Sequence, residues 1–281
     1  DPRGRVKLIN DGNRYFYLYD ADDGTAWNVA GYPMNTPLDD YTCTMGLGYA
    51  VYDAVRDGIR SATRVFVDRQ DPCEIWTIRL KNESDRKRTV RVFPLLEWSL
   101  EGYVPKSDYF SYLFSRADAE HAIVYAHNTA SERLHDSYNG FLASSRPFTG
   151  FDTSLRAFLG TYGSFARPEA LEHGHCTNTL GSCERLCAAM ELEFTLEPGA
   201  EERVDLLIGA FEHEEEAQAL FVASYQTERL RLLDSGSYEG EEEASVEDGE
   251  MEVESDQEEK EEGDEEEKEE SDEKEKEEGE E

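Results

Sequence analysis

What this sequence lacks narrows it before any motif is read. No apolar run approaches the roughly 20 residues that a membrane-spanning helix needs, so no membrane partner is expected. No segment carries a basic stripe: Lys and Arg number 28 against 64 Asp and Glu. That removes the electrostatic footprint of a nucleic-acid binder. No leader-like segment opens the chain, because Asp1-Pro2-Arg3-Gly4-Arg5 runs straight into strand-like sequence, and the missing initiator Met marks an expected fragment. Cysteine is sparse, with five scattered positions, Cys43, Cys73, Cys176, Cys183 and Cys187. An odd, irregular set is no disulfide framework; thiols in a reducing compartment, and hence a cytoplasmic location, are expected. His173, His175, Cys176, Cys183 and Cys187 are ligand types that suit zinc, but they lack paired C-x-x-C spacing. No metal and no cofactor are therefore expected.

Charge divides the chain in two. From Gly240 onward there are 26 Asp/Glu and 4 Lys, a net charge of −22, which leaves −14 of the total −36 for residues 1–239. The acidic tail has almost no apolar residues to bury. A disordered tail over 235–281 is expected, since burial cannot offset its ordering entropy. Glu214 to Leu233 reads as a helix: acidic residues fill its first turn, and Ala217, Leu220, Phe221, Ser224, Thr227 and Leu230 trace one face. It is expected as a linker helix over 212–234, leaving residues 1–211 as one β-sandwich domain.

That body is rich in Tyr, Phe, Val, Ile and Leu, the strand-favouring set. In Ser61–Leu100, Trp76, Ile78 and Leu80 alternate with Thr77, Arg79 and Lys81. Val90, Val92, Leu96 and Trp98 alternate with Thr89, Arg91 and Glu97. Period two places one face in a core and one in water. The polar turn Asn82-Glu83-Ser84-Asp85 between them predicts a hairpin. Met190–Leu196 and Val204–Ile208 predict a second hairpin about Pro198-Gly199. Asp22-Asp23-Gly24-Thr25 and Asp57-Gly58 predict further turns. Asp20, Asp22 and Asp23 do not have the spacing of a calcium loop. The fold class is all-β, a two-sheet antiparallel sandwich.

Candidate ligand contacts fall in two aromatic stretches. Tyr109 and Phe110 lie in an irregular run between Tyr103 and Tyr125, where rings can stack on sugars or cap a sandwich end. Asp152 and Arg156 lie in Phe148–Phe165, which reads either as a long ordered loop held by its own side chains or as a loop bordering a carbohydrate or partner surface.

The order of several short motifs resembles the N-terminal β-supersandwich, a galactose mutarotase-like fold, of glycoside hydrolase family 94, the disaccharide phosphorylases. The motifs are Arg14-Tyr15-Phe16-Tyr17, Leu38-Asp39-Asp40-Tyr41, Gly46-Leu47-Gly48-Tyr49, Glu74-Ile75-Trp76, Leu80-Lys81-Asn82 and Glu97-Trp98. Gly150-Phe151-Asp152-Thr153, Phe158-Leu159-Gly160, Thr177-Asn178 and Leu196-Glu197-Pro198-Gly199 complete the series. The resemblance implies inverting phosphorolysis of a β-linked disaccharide, with inorganic phosphate as co-substrate attacking the anomeric carbon while one carboxylic acid protonates the leaving oxygen. In the family that acid is an Asp on a following (α/α)6 barrel, and no carboxylate here matches it. After Trp98, Phe110 matches a family Asn-Phe-Gln-Arg run, but Ser111 and Tyr112 replace Gln and Arg. Thr44-Met45 stands where members carry Arg-His. The resemblance therefore implies a carbohydrate-binding scaffold without its own catalytic centre, and a homodimer. The composition suggests another reading, an interaction protein whose polyanionic tail binds basic partners.

Overall fold

The computed structural model describes residues 14–68, 73–98, 100, 113–129, 139–211 and 213–219. Its strands are β1 (Arg14–Asp20), β2 (Thr25–Asn28), β3 (Asp40–Gly46), β4 (Tyr49–Arg56), β5 (Ile59–Val67), β6 (Cys73–Asn82) and β7 (Arg88–Glu97). They continue with β8 (Leu113–Asp118), β9 (Ile123–Asn128), β10 (Asn139–Ser144), β11 (Gly150–Ser154), β12 (Leu186–Leu196) and β13 (Glu201–Phe211). Two short helices, α1 (Leu155–Leu159) and α2 (Glu169–His173), follow β11. Residues 214–219 are helical; the rest of the expected linker helix and the acidic tail lie outside the described residues.

The strands form two sheets, one ordered β11-β12-β7-β1-β2 and the other β3-β4-β5-β6-β13-β10-β9-β8. All pairings between these strands are antiparallel. Between the sheets lies the main core, which includes Phe16, Leu18, Trp76, Ile78, Val90, Val92, Leu192 and Leu206. Burying one such side chain stabilises the fold by about 1.5–3 kcal/mol. The smaller sheet is buried on its other face as well. There Tyr15, Tyr17, Phe93 and Leu95 pack under Leu155, Phe158 and Leu171 from the two helices. That second cover explains why β1 reads as the nearly continuous aromatic run YFYLY rather than as an alternation.

The expected turn at residues 22–25 joins β1 to β2, and Asp57-Gly58 joins β4 to β5. Both Asp57 (φ 47°) and Gly58 (φ 75°) sit in the left-handed region, as a tight hairpin turn requires. The other two expected hairpins are not hairpins. β6 belongs to the larger sheet and β7 to the smaller; β12 belongs to the smaller and β13 to the larger. Each connection is a corner that carries the chain across the core. Alternation specifies which face is buried, and two strands can satisfy it edge to edge or face to face.

Asn82 fastens the two corners together. Its Nδ2 donates to Arg86 O at 2.7 Å and Leu196 O at 3.0 Å. Its backbone N–H donates to Ala200 O at 3.0 Å, and its carbonyl accepts from Gly199 N–H at 2.8 Å. The sequence Asn82-Glu83-Ser84 fits a glycosylation signal, but this side chain is fully buried and its amide is spent. Nearby, Arg88 forms a buried ion pair with Asp20, whose other oxygen accepts the Asp22 and Asp23 N–H groups at 2.9 and 3.3 Å. Those acidic residues build a turn and hold arginines.

Candidate functional site

At one side of the sandwich, β11 edges the smaller sheet and β8 edges the larger. Residues 175–183 run along both edges as a strap. Thr179 bridges to Asp152, and Ser182 bridges to Phe114. Thr153 N–H donates to Thr179 O at 2.9 Å, Ser115 N–H to Gly181 O at 3.2 Å and Cys183 N–H to Leu113 O at 2.7 Å. Side chains finish the closure: Ser115 Oγ and Thr153 Oγ1 lie 2.6 Å apart, and Gly181 N–H donates to Thr153 Oγ1 at 2.8 Å. Gly181 is required by space, since a Cβ there would meet Leu186 Cδ2 at 2.5 Å and Thr153 O at 2.9 Å. Asn178 takes a positive φ of 59°, which Asn tolerates better than most residues, and its Oδ1 accepts Phe151 N–H at 3.1 Å.

Asp152 anchors this strap. Its side chain is fully buried. The carboxylate accepts Thr177 N–H at 3.0 and 3.1 Å, Thr177 Oγ1–H at 2.6 Å and Thr179 N–H at 3.0 Å. Burial pushes its pKa up, against the pull of those hydrogen bonds. The Cys187 thiol donates to the Asp152 carbonyl at 3.4 Å. Burial also raises the Cys176 and Cys187 thiols well above their ordinary value. Among the described residues, no three His, Cys, Asp or Glu side chains are placed to hold a metal.

Phe148–Phe165, expected as a loop, contains β11 and α1 instead. The strand is short and buried on both faces, so it has no alternation to read. Ser154 caps α1 by accepting Ala157 N–H at 3.2 Å. Beyond it opens a cleft of about 300 Å3, with Arg156, Leu159, Gly160 and Thr161 on one wall and Glu184 and Arg185 on the other. Arg185 is held by Glu97, with Nε donating to Oε1 at 2.8 Å. Arg156 is exposed and makes no ion pair among the described residues. Glu97, beside Trp98, thus braces a cleft wall.

The structure therefore separates the sequence candidates. Asp152 lies beneath the strap and Arg156 faces solvent at the cleft, four residues further along the chain. Tyr109 and Phe110 lie outside the described residues. Sequence reasoning passed over Thr153, Ser115 and Gly181. The available signal was a buried Asp-Thr pair facing a Thr-x-Thr-x-Gly segment, which only the fold brings together. A second cleft, about 250 Å3, is lined by His121, Ser144, Arg146 and Gln218. His121 Nδ1 lies 3.0 Å from Asp118 Oδ2, joining the turn after β8 to the last residue of that strand.

The sequence matches the glycosyl hydrolase 94 supersandwich domain over residues 6–228. It is 45% identical over 218 residues to a solabiose phosphorylase of Paenibacillus borealis, covering 78% of this chain and 28% of that protein. It is 31% identical over 208 residues to an N,N'-diacetylchitobiose phosphorylase of Vibrio proteolyticus, covering 69% and 25%. A 3-O-beta-D-glucopyranosyl-beta-D-glucuronide phosphorylase of Paenibacillus borealis is 27% identical over 221 residues, covering 77% and 28%. The chain spans about a quarter of the length of these curated relatives.

Proposed function

Because the chain belongs to the glycosyl hydrolase 94 supersandwich family, we propose that it is the carbohydrate-active scaffold of a disaccharide phosphorylase and carries no catalytic centre of its own. The observation that carries this reading is the domain match itself. One domain is shared with phosphorylases named for different disaccharides and makes up about a quarter of each. A shared domain of this kind supports the reaction without choosing the sugar.

Five of the described carboxylates support the same reading. Asp20 pairs with Arg88, Glu97 with Arg185, and Asp205 with Arg203. Asp152 and Glu191 accept backbone N–H groups of the strap. Each of these is engaged in holding the fold. Inorganic phosphate is then the co-substrate of the whole phosphorylase, used at a centre outside this domain. Arg156 is the described candidate for contacting sugar at the cleft, with Asp152 setting its position through β11. Tyr109 and Phe110 complete the candidate set. Association into a homodimer and a cytoplasmic location belong to the same reading, and none of the five cysteines is in a disulfide.

The test is phosphorolysis by the purified chain, supplied with cellobiose or diacetylchitobiose and inorganic phosphate. No sugar 1-phosphate is expected, and its appearance in proportion to protein added would overturn the proposal. The second reading rests on the −22 charge from Gly240 onward, and makes the tail a binder of basic proteins. Salt-sensitive binding to histone that disappears in a chain ending at Ser237 would favour it; equal binding by both would discard it.

A further inference from the structure

The larger sheet extends past the smaller one. Its core contacts end at β4, where Tyr52 and Ala54 are the last buried members. Beyond them, every residue of β3 from Asp40 to Met45 is exposed. β3 pairs with β4 on one side, and no described strand pairs with its other side. Native edge strands are normally protected by Lys, Pro, a bulge or a covering segment. Here Asp40–Gly46 contains neither Lys nor Pro, pairs with β4 without a register shift and has no covering segment among the described residues. Met45 is 65% exposed, and Leu47 at the hairpin tip is fully exposed.

The sequence of this edge is self-complementary. Asp40-Tyr41-Thr42-Cys43-Thr44-Met45-Gly46 is nearly symmetric in residue class about Cys43. In an antiparallel pairing centred there, Cys43 faces Cys43 of a second copy. Thr42 faces Thr44, Tyr41 faces Met45, and Asp40 faces Gly46. Opposed threonines are a favourable cross-strand pair, and a thioether beside an aromatic ring is a favourable contact. The one charged residue meets a glycine, so no like charges are opposed. The rest of the body is acidic, but its charge lies off this strand.

We propose that β3 is a self-association edge, through which a second copy of this chain pairs antiparallel about Cys43 and joins the two larger sheets into one. The inference rests on the homodimer in the proposed function and names its interface. An interface made chiefly by one pair of strands falls at the small end of protein contacts, so the dimer is concentration-dependent. Because both copies are acidic, added salt strengthens it.

The test uses the intact chain and two readouts. Sedimentation velocity across a concentration series reads association. Incubation with oxidised glutathione reads register: two Cys43 thiols become one disulfide while one glutathione disulfide is reduced to two thiols. Directly opposed residues in antiparallel strands have Cα atoms about 4.5–5.5 Å apart, within disulfide range. The expected result is a reversible dimer whose covalent cross-link is lost in Cys43→Ser and kept in Cys183→Ser. The double variant Thr42→Lys/Thr44→Lys opposes lysines across the interface at exposed positions. It is expected to raise the dissociation constant at least tenfold while leaving the thermal midpoint of the dilute monomer unchanged. A monomer at every concentration would overturn both the interface and the homodimer. A dimer that resists the lysine variant and gives no Cys43 cross-link would overturn the interface and leave the homodimer standing.

Discussion

The two ends of this sandwich solve the same problem in opposite ways. At the β8/β11 end, strand edges from both sheets are tied down by the strap at residues 175–183, with Asp152 beneath it. At the β3 end, the larger sheet overhangs and its last strand is exposed along its length. Backbone N–H and C=O groups must find partners wherever they are buried. The strap supplies them at the closed end, while water or a second chain supplies them at the open one. The closed end is thus a matter of stability and the open end of association. Substitutions at the two ends should separate those properties.

Asp152→Ala should have the largest effect, because it removes the buried carboxylate that accepts the Thr177 and Thr179 N–H groups and the Thr177 hydroxyl; a loss of about 3 kcal/mol is expected in urea unfolding. Gly181→Ala forces a Cβ against Leu186 and the Thr153 carbonyl, and should cost about 2 kcal/mol by the same measurement. Ser115→Ala removes the hydroxyl link to Thr153 and Gly181, with an expected loss of about 1 kcal/mol. His127 beside the closed end gives a smaller, pH-dependent effect. Burial, helped by Arg116, lowers its pKa below the ordinary histidine value. The folded chain therefore resists taking up a proton that the unfolded chain accepts. Stability is full above about pH 6.5 and falls as pH drops from there toward the folded pKa. His127→Phe should flatten that stretch of the stability–pH curve. At the open end, Thr42→Lys/Thr44→Lys should change stability by less than about 0.5 kcal/mol, as is usual for exposed positions.

Much of this arrangement was legible in the sequence, and the exceptions share a cause. Alternation in Trp76–Leu80 and Met190–Leu196 correctly marked strands and their core-facing residues, while Thr77 and Glu191 of the opposite phase are buried as well. It could not tell whether β6 and β7 pair in one sheet or face each other in two, because the buried face is the same in both cases. Only Asn82, bonded to both corners, distinguishes the arrangements, and its role depends on residues more than a hundred positions away. Asp152 read as a polar group near a ligand, since its acceptors' partners at Thr177 and Thr179 are distant in sequence and close only in the fold. Arg156 is exposed, and the cleft beside it needed Glu184 and Arg185 from the far side of the strap. The overhang of β3 depends on one sheet having more strands than the other, which no local pattern encodes.

The contrast between a fastened end and an open end can be measured in one experiment: amide hydrogen exchange of the intact chain at two protein concentrations. Slow, concentration-independent exchange is expected at Thr153, Thr177, Thr179 and Gly181. Fast exchange is expected along Asp40–Gly46 in dilute solution, slowing as concentration rises. Fast exchange in the strap, or β3 amides that exchange at the same rate at both concentrations, would contradict the account.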